Sequence, residues 1–259
     1  MLLWTTFMTS SSAPLRLYVP NDLVAGVEVD LSPDQARYLA QVMRRGVDDP
    51  VLLFNGRDGE WSGGLVGVTK KSAAVLLEQQ MRVQEVECDL KLLFAPIKRN
   101  PTDLIVQKAT ELGVSVLQPV ITQRTNSDRV KTDRLRAIAM EAAEQCGRMI
   151  VPDVREPAAL LQVITDWPDD RVLFVMDETG GGDPVADVMA EHVGRNIGAA
   201  AFVIGPEGGF ADTELDLLRS LPFSKFVSLG PRILRADTAA LAALTCWQAL
   251  CGDWRRGSD

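Results

Sequence analysis

The sequence predicts an α/β protein with two parts: a small β-rich unit over residues 15–82, then a mostly parallel, doubly wound sheet over residues 83–259. Three observations predict this. Short apolar runs alternate with helical patterns in the second part, which is typical of a parallel sheet. Short alternating segments separated by turn residues fill the first part. The chain has 259 residues, enough for two hydrophobic cores.

The small unit is predicted from strand patterns and one interrupting helix. The strand patterns lie at residues 15–19, 51–54 and 73–77. Asn55-Gly56 signals a tight turn after the second of these. Ser32 and Gln35 have the spacing of a capping box, with Pro33 at the first helical position. The prediction is therefore one helix among several strands.

The second part alternates strands and helices. Apolar runs predict strands at residues 90–95, 116–121, 171–176, 200–204 and 226–229. Helical patterns lie at residues 100–112, 132–146, 212–220 and 238–251. Thr132 is expected to cap the second helix and Asp212 or Thr213 the third. Residues 83–88 are polar enough for a linker, and residues 1–14 are expected to be a disordered tail or the product of an upstream start codon.

Composition limits the function classes. Apolar residues make up 46% and charged residues 24% of the chain, as in an ordinary globular protein. No run approaches the roughly 20 apolar residues of a membrane span, and no secretory signal is recognisable. The net charge of −8 argues against a nucleic-acid partner, although it leaves room for a local basic face.

The four cysteines and the single histidine predict no metal site. The cysteines lack metal-ligand spacing, and they fit reduced thiols in a cytoplasmic protein. His192 follows a helical run among charged residues, so it is expected at a solvated helix end. A histidine-dependent triad therefore has one poor candidate.

Two glycine-proline turns carry the strongest functional signal. Gly205-Pro206 and Gly230-Pro231 each follow a predicted strand and precede a helix. Glycine lets a ligand approach the main chain closely, and ligands of parallel sheets bind at the carboxyl ends of strands. A single such turn is usually structural, but two predict one ligand crevice. Neither turn fits a dinucleotide fingerprint or a Walker motif.

Charged residues near these turns allow two interpretations. Arg232 and Arg235 are either surface charges or ligands for an anion. Glu144 and Arg148 share one helical face, which is either solvated or part of a site. The loop at residues 180–184 is predicted to be flexible.

Eight segments, taken together, are distinctive: residues 16–19, 42–46, 54–56, 70–72, 107–114, 144–148, 204–209 and 229–235. They resemble the ribosomal RNA small subunit methyltransferase E family of the SPOUT superfamily. They occur in family order and cover nearly the whole chain after residue 15. The chain departs from the family at Tyr38, where relatives commonly carry histidine, and at Met43, where they carry leucine.

The resemblance implies an N-terminal PUA-like RNA-binding β-barrel and a C-terminal domain with a trefoil knot. It implies S-adenosylmethionine as methyl donor and a homodimer that completes the active site across its interface. The implied reaction methylates N3 of a specific uridine in 16S ribosomal RNA of the small ribosomal subunit.

The resemblance also implies site residues. The donor would be bound by Met176, Ile204, Gly205, Pro206, Glu207, Gly208, Ser228, Leu229, Gly230, Ile233, Leu234 and Thr238. The candidate catalytic residues are Arg124, Glu144, Arg148 and Arg235, with Glu207 as a second candidate proton acceptor. The expected RNA-binding face comprises Arg16, Arg37, Arg44, Arg45, Lys70 and Lys71.

Three alternatives stay open at this point. A related enzyme could methylate another base or the ribose. A non-catalytic RNA-binding factor of ribosome assembly could keep the same fold, although it would not need the glycine turns. A nucleotide-dependent dehydrogenase is disfavoured because the chain lacks the dinucleotide fingerprint.

Overall fold

The computed structural model describes residues 15–126, 130–165, 167–193 and 199–255. The chain divides into two compact units, residues 1–85 and 86–259. The tail predicted for residues 1–14 lies outside the described residues. Within the described ranges, no helix has the length and apolar character needed to cross a membrane.

The first unit is built on one five-stranded sheet with the order β1-β3-β4-β5-β2. β1 and β3 are parallel, and the other neighbours are antiparallel. Among the described residues no pairing joins β1 to β2, so the closed barrel stays a prediction. The strands are β1 (Leu15–Tyr18), β2 (Glu28–Asp30), β3 (Pro50–Phe54), β4 (Glu60–Val68) and β5 (Ala73–Arg82).

Local sequence signals explain the turns of this unit. Helix α1 (Pro33–Arg37) begins with the predicted capping box: Gln35 donates its backbone N–H to Ser32 Oγ at 3.2 Å. A π-helix, Tyr38–Met43, continues it and ends at Arg44, which has a φ of +51°. The Asn55 side chain closes the turn between β3 and β4 by accepting the backbone N–H of Asp58 at 2.8 Å.

The second unit contains a fully parallel sheet with the order β11-β13-β10-β12-β6-β7-β8, and β9 also pairs with β7. The predicted parallel sheet is confirmed. β10 lies between β12 and β13, the strands that precede the two glycine-proline turns. The strands are β6 (Asp89–Phe94), β7 (Val116–Ile121), β8 (Asp153–Val154), β9 (Ala158–Ala159), β10 (Arg171–Met176), β11 (Asp183–Pro184), β12 (Ala199–Ile204) and β13 (Ser224–Ser228).

Helices cover both faces of this sheet. Phe94 and Trp247 belong to the core on one face, whereas Leu93 and Phe210 belong to the core on the other. This two-sided burial explains why the strands read as continuous apolar runs. The helices are α2 (Arg99–Glu111), α3 (Thr132–Cys146), α4 (Leu160–Thr165), α5 (Val185–Ala190), α6 (Asp212–Ser220) and α7 (Ala236–Leu250).

Three local predictions are wrong. Thr132 does not cap α3, because it is already helical and donates its hydroxyl to Glu156 at 2.8 Å. Helix α6 starts after Ala211, whose backbone N–H is accepted by Glu214 at 2.9 Å. His192 is buried rather than solvated: its Nδ1 lies 2.8 Å from the Val188 carbonyl, and its ring packs edge-on against Phe174.

Candidate functional site

A cavity of about 490 Å³ lies where three neighbouring strands end. Met176, Ile204 and Ser228 are the last residues of β10, β12 and β13, and all three line it. Because the strands are parallel and adjacent, the segments that follow them meet at one edge of the sheet. The volume lies within the range of about 300–1,000 Å³ that is typical of small-molecule sites.

The cavity brings together most of the residues that were predicted to bind the donor. Gly208 and Thr238 do not line it; Thr238 faces a separate apolar groove beside Leu104. Arg235, predicted as catalytic, does line it. The predicted donor-binding residues at the cavity are Met176, Ile204, Gly205, Pro206, Glu207, Ser228, Leu229, Gly230, Ile233 and Leu234.

The two turns need glycine for different reasons. A Cβ at Gly205 would come within 3.0–3.3 Å of the buried ring of Phe210, so the close packing of that ring excludes a side chain. A Cβ at Gly230 would meet no atom within 4 Å, but the φ of +102° is a conformation that side chains strongly disfavour. The first turn is therefore constrained by packing and the second by its backbone.

The sequence-based prediction missed the segment after β10. Asp177, Glu178, Thr179 and Gly180 line the cavity. The Asp177 side chain is fully buried, and its Oδ1 accepts the backbone N–H of Thr179 at 2.8 Å and its hydroxyl at 2.6 Å. Its Oδ2 makes no hydrogen bond to any described residue, and the nearest cation is Arg219 Nη2 at 3.8 Å. The sequence did contain one sign of this segment: it directly follows the predicted strand at residues 171–176, and ligands of parallel sheets bind at the carboxyl ends of strands.

Two candidate catalytic arginines lie at this edge of the sheet. Arg124 follows β7 and donates from Nη1 to the Gly208 carbonyl at 3.1 Å, so it holds the first glycine turn. Arg235 directly precedes α7 and is exposed, with its Nε 3.8 Å from Asp237. An exposed guanidinium at a cavity rim is available to an anionic group of a ligand.

The structure does not bring Arg148 and Glu144 to the cavity. The Arg148 guanidinium is nearly buried, forms an ion pair with Glu87, and donates to the carbonyls of Thr110 at 2.7 Å and Val114 at 2.9 Å. These partners precede β6 and β7, so they lie where the strands begin. A strand of six residues spans about 20 Å, which separates this edge from the cavity. These contacts hold Arg148 in place within its own chain, so its catalytic role and that of Glu144, on the last turn of α3, stay predictions.

The predicted RNA-binding residues divide into two groups. Arg16 donates to Glu60 at 2.6 Å and stacks over the Phe54 ring at 4.6 Å, with only 12% of its side chain exposed. It therefore stabilises the first unit, which corrects its prediction as a surface contact. Arg45 is half-buried. The other four residues predicted to bind RNA are exposed: Arg37, Arg44, Lys70 and Lys71.

The described residues contain no candidate metal site. In the part of the chain that the structure describes, no group of three His, Cys, Asp or Glu side chains could hold a metal ion. The cavity instead combines apolar walls with backbone groups and a few charged side chains, which suits an organic ligand.

A parallel sheet with a ligand cavity at its strand ends, joined to a small β-rich unit, is the architecture of a class of RNA methyltransferases. The family model described as RNA methyltransferase domain matches residues 84–248, and the model described as RNA methyltransferase PUA domain matches residues 31–78. The chain belongs to the ribosomal RNA small subunit methyltransferase E family.

Named relatives support this membership. The ribosomal RNA small subunit methyltransferase E of Rickettsia conorii is 31% identical over 230 residues, which cover 88% of this chain and 93% of the relative. That of Synechocystis is 32% identical over 238 residues, covering 91% and 77%. The crystal structure of the Neisseria gonorrhoeae enzyme, bound to S-adenosyl methionine, matches with a TM-score of 0.83 at 28% identity, covering 92% of this chain and 98% of that one.

Proposed function

We propose that this protein transfers a methyl group from S-adenosylmethionine to N3 of a specific uridine in 16S ribosomal RNA. Membership of the family makes the protein an S-adenosylmethionine-dependent RNA methyltransferase. The choice of uridine N3 rests on the resemblance carried by the two glycine-proline turns. The observation that carries the proposal is the cavity that both turns enclose.

The residues of the cavity fit S-adenosylmethionine. Met176, Ile204 and Leu234 offer apolar surface to an adenine ring, and the two turns offer backbone N–H and carbonyl groups. Gly205 lines the cavity without a side chain, so a ligand can approach its backbone closely. When bound, S-adenosylmethionine supplies a methyl group that is already activated by the sulfonium charge.

The chain must position the uracil and manage one proton. N3 of uracil carries a proton, so a base must accept it at or before transfer. Glu207 lines the cavity and is exposed, which makes it our candidate for that base. The negative charge that develops on the uracil oxygens would be stabilised by Arg235, with Arg124 as a second donor at the same edge of the sheet.

We also propose a homodimer that completes the active site. Ile233 lines the cavity although 87% of its surface is exposed, which is unusual for a large apolar side chain. An apolar groove of about 420 Å³ lies between α2 and α7, beside Leu104, Leu241 and Cys246. A second copy covering these surfaces would bury them. Sedimentation that gives a monomer at micromolar concentration would contradict this part.

The proposed function also implies how the two units are built and where the protein works. We propose that the loops around the cavity form a trefoil knot, that the first unit is a PUA-like barrel, and that the protein works in the cytoplasm on the small ribosomal subunit. The exposed Arg37, Arg44, Lys70 and Lys71 support an RNA-binding face on the first unit. In duplex RNA the N3 edge is paired, so the target uridine must be unpaired or turned out of its stack.

Transfer of labelled methyl groups tests the proposal. Purified protein, labelled S-adenosylmethionine and small ribosomal subunits from cells that lack the gene should give labelled 16S RNA, and nuclease digestion should release 3-methyluridine. Label in another base or in the ribose would favour the related-enzyme alternative. RNA binding without donor binding would favour the assembly factor.

A further inference from the structure

The charged groups of the cavity are segregated by strand. The carboxylates follow β10 and β12, whereas the guanidiniums of Arg232 and Arg235 follow β13. Because the sheet order is β13-β10-β12, the cavity is basic on one side and acidic on the other. A ligand with a positive charge is favoured on the acidic side. The carboxylates are Asp177, Glu178 and Glu207.

Glu178 differs from its neighbour Asp177. Asp177 is buried, and one of its carboxylate oxygens accepts two hydrogen bonds from Thr179, so it holds the loop in place. Glu178 is exposed at the cavity and makes no hydrogen bond or ion pair with any residue that the structure describes. A carboxylate accepts hydrogen bonds only, and this one has its full acceptor capacity left for a ligand.

The Glu178 side chain lies against the first glycine turn. A Cβ on Gly209 would overlap the Glu178 carboxylate, so the side chain packs directly on the backbone of this residue. Gly209 has a φ of +67° and donates its N–H to the Pro206 carbonyl at 2.9 Å. The preceding glycine, Gly208, is held by Arg124. The Glu178 carboxylate is therefore packed against a restrained loop of the cavity wall.

We propose that Glu178 recognises the cationic methionine end of the methyl donor. This inference rests on the proposed function, because it assumes that S-adenosylmethionine occupies the cavity. The donor carries two cations at that end, the sulfonium and the α-ammonium, beside one α-carboxylate. The ammonium can donate a charge-assisted hydrogen bond to Glu178, and the sulfonium attracts it by charge alone. When the methyl group leaves, the bonding pair stays on sulfur, which becomes a neutral thioether. The ammonium is the only cation that the product keeps, so Glu178 favours the donor over the product.

Calorimetric titration of the full chain with three ligands tests the inference. The ligands are S-adenosylmethionine, with both cations; S-adenosylhomocysteine, with the ammonium alone; and 5′-methylthioadenosine, with neither. Glu178→Gln removes the charge and keeps the shape. We expect it to weaken S-adenosylmethionine about five- to tenfold, S-adenosylhomocysteine less, and 5′-methylthioadenosine not at all. Glu191→Gln is the control: this exposed residue at the end of α5 lies 3.9 Å from Lys225 Nζ and does not line the cavity, so all three affinities should stay unchanged.

The outcomes separate the inference from the function on which it rests. Equal weakening of all three ligands would overturn the inference, because the carboxylate would then act on the adenosine part or on the shape of the cavity. Unchanged affinities in Glu178→Gln would overturn it as well. A wild-type protein that binds no S-adenosylmethionine would instead overturn the proposed function. Glu178→Asp keeps the charge on a shorter arm, and an S-adenosylmethionine affinity between those of the wild type and Glu178→Gln would support the inference.

Discussion

Valine in place of Gly205 should separate the donor site from the fold. The Cβ would lie 3.0 Å from Phe210 Cε2 and 3.2 Å from Cδ2, inside the ordinary carbon–carbon separation of about 3.5–4.0 Å. Phe210 is 1% exposed within a closed core, so its ring has little room to move. Overpacking of this kind costs about 1–3 kcal/mol. A domain with about 5–15 kcal/mol of stability stays folded after such a loss.

Donor affinity should fall as well, because Gly205 lines the cavity and any shift of its turn that relieves the contact with Phe210 moves the backbone groups offered to the donor. A loss of about 1–3 kcal/mol corresponds to roughly 5- to 150-fold in dissociation constant. Calorimetry measures the affinity, urea denaturation measures the stability, and gel filtration should show an unchanged oligomer. Gly67→Val is the control, because a Cβ there meets no atom within 4 Å. Normal donor affinity in Gly205→Val would refute the reasoning.

Other substitutions test the structural assignments. Arg148→Ala should lower the free energy of unfolding by about 3 kcal/mol, because it leaves the Glu87 carboxylate without its ion-pair partner; unchanged stability with lost turnover would support a catalytic role. Changing both Lys70 and Lys71 to serine should reduce the slope of log RNA affinity against log salt concentration by about two. Filter binding at several salt concentrations measures this slope. An unchanged slope would mean that the RNA does not contact these two lysines. Cys146 is exposed, whereas burial raises the pKa of the Cys246 thiol. Iodoacetamide at neutral pH should therefore modify Cys146 before Cys246, as peptide mass analysis would reveal. The reverse order would contradict the burial of Cys246.

Local patterns predicted the parallel sheet and the two glycine-proline turns, whereas the other donor-binding residues were implied by the family resemblance. Apolar runs marked the strands, and glycine-proline turns marked two of the strand ends. The order of the strands was not predictable in this way. β10 lies between β12 and β13, so Asp177 and Glu178 join the site from a strand end without a distinctive motif.

The contacts that the sequence did not predict have one origin. Arg148 and Arg16 lie in segments that resemble the family, so Arg148 was predicted to be catalytic and Arg16 to bind RNA. Their roles depend on partners distant in sequence, since Glu87 is 61 residues away from Arg148 and Glu60 is 44 residues away from Arg16. Spacing along the chain carries no information about such pairs. The buried His192 was missed for the same reason, because its packing against Phe174 is a tertiary contact.

Mass mapping of 16S ribosomal RNA is the sharpest test of methyl transfer to uridine N3. RNA from cells that lack the gene would be compared before and after treatment of their small subunits with purified protein and S-adenosylmethionine. One uridine should lack an N3 methyl group in the mutant and gain it on treatment, and Arg235→Ala protein should restore it far more slowly. A full complement of methylated uridine in the mutant, or a restored methyl group at any other atom, would contradict the account.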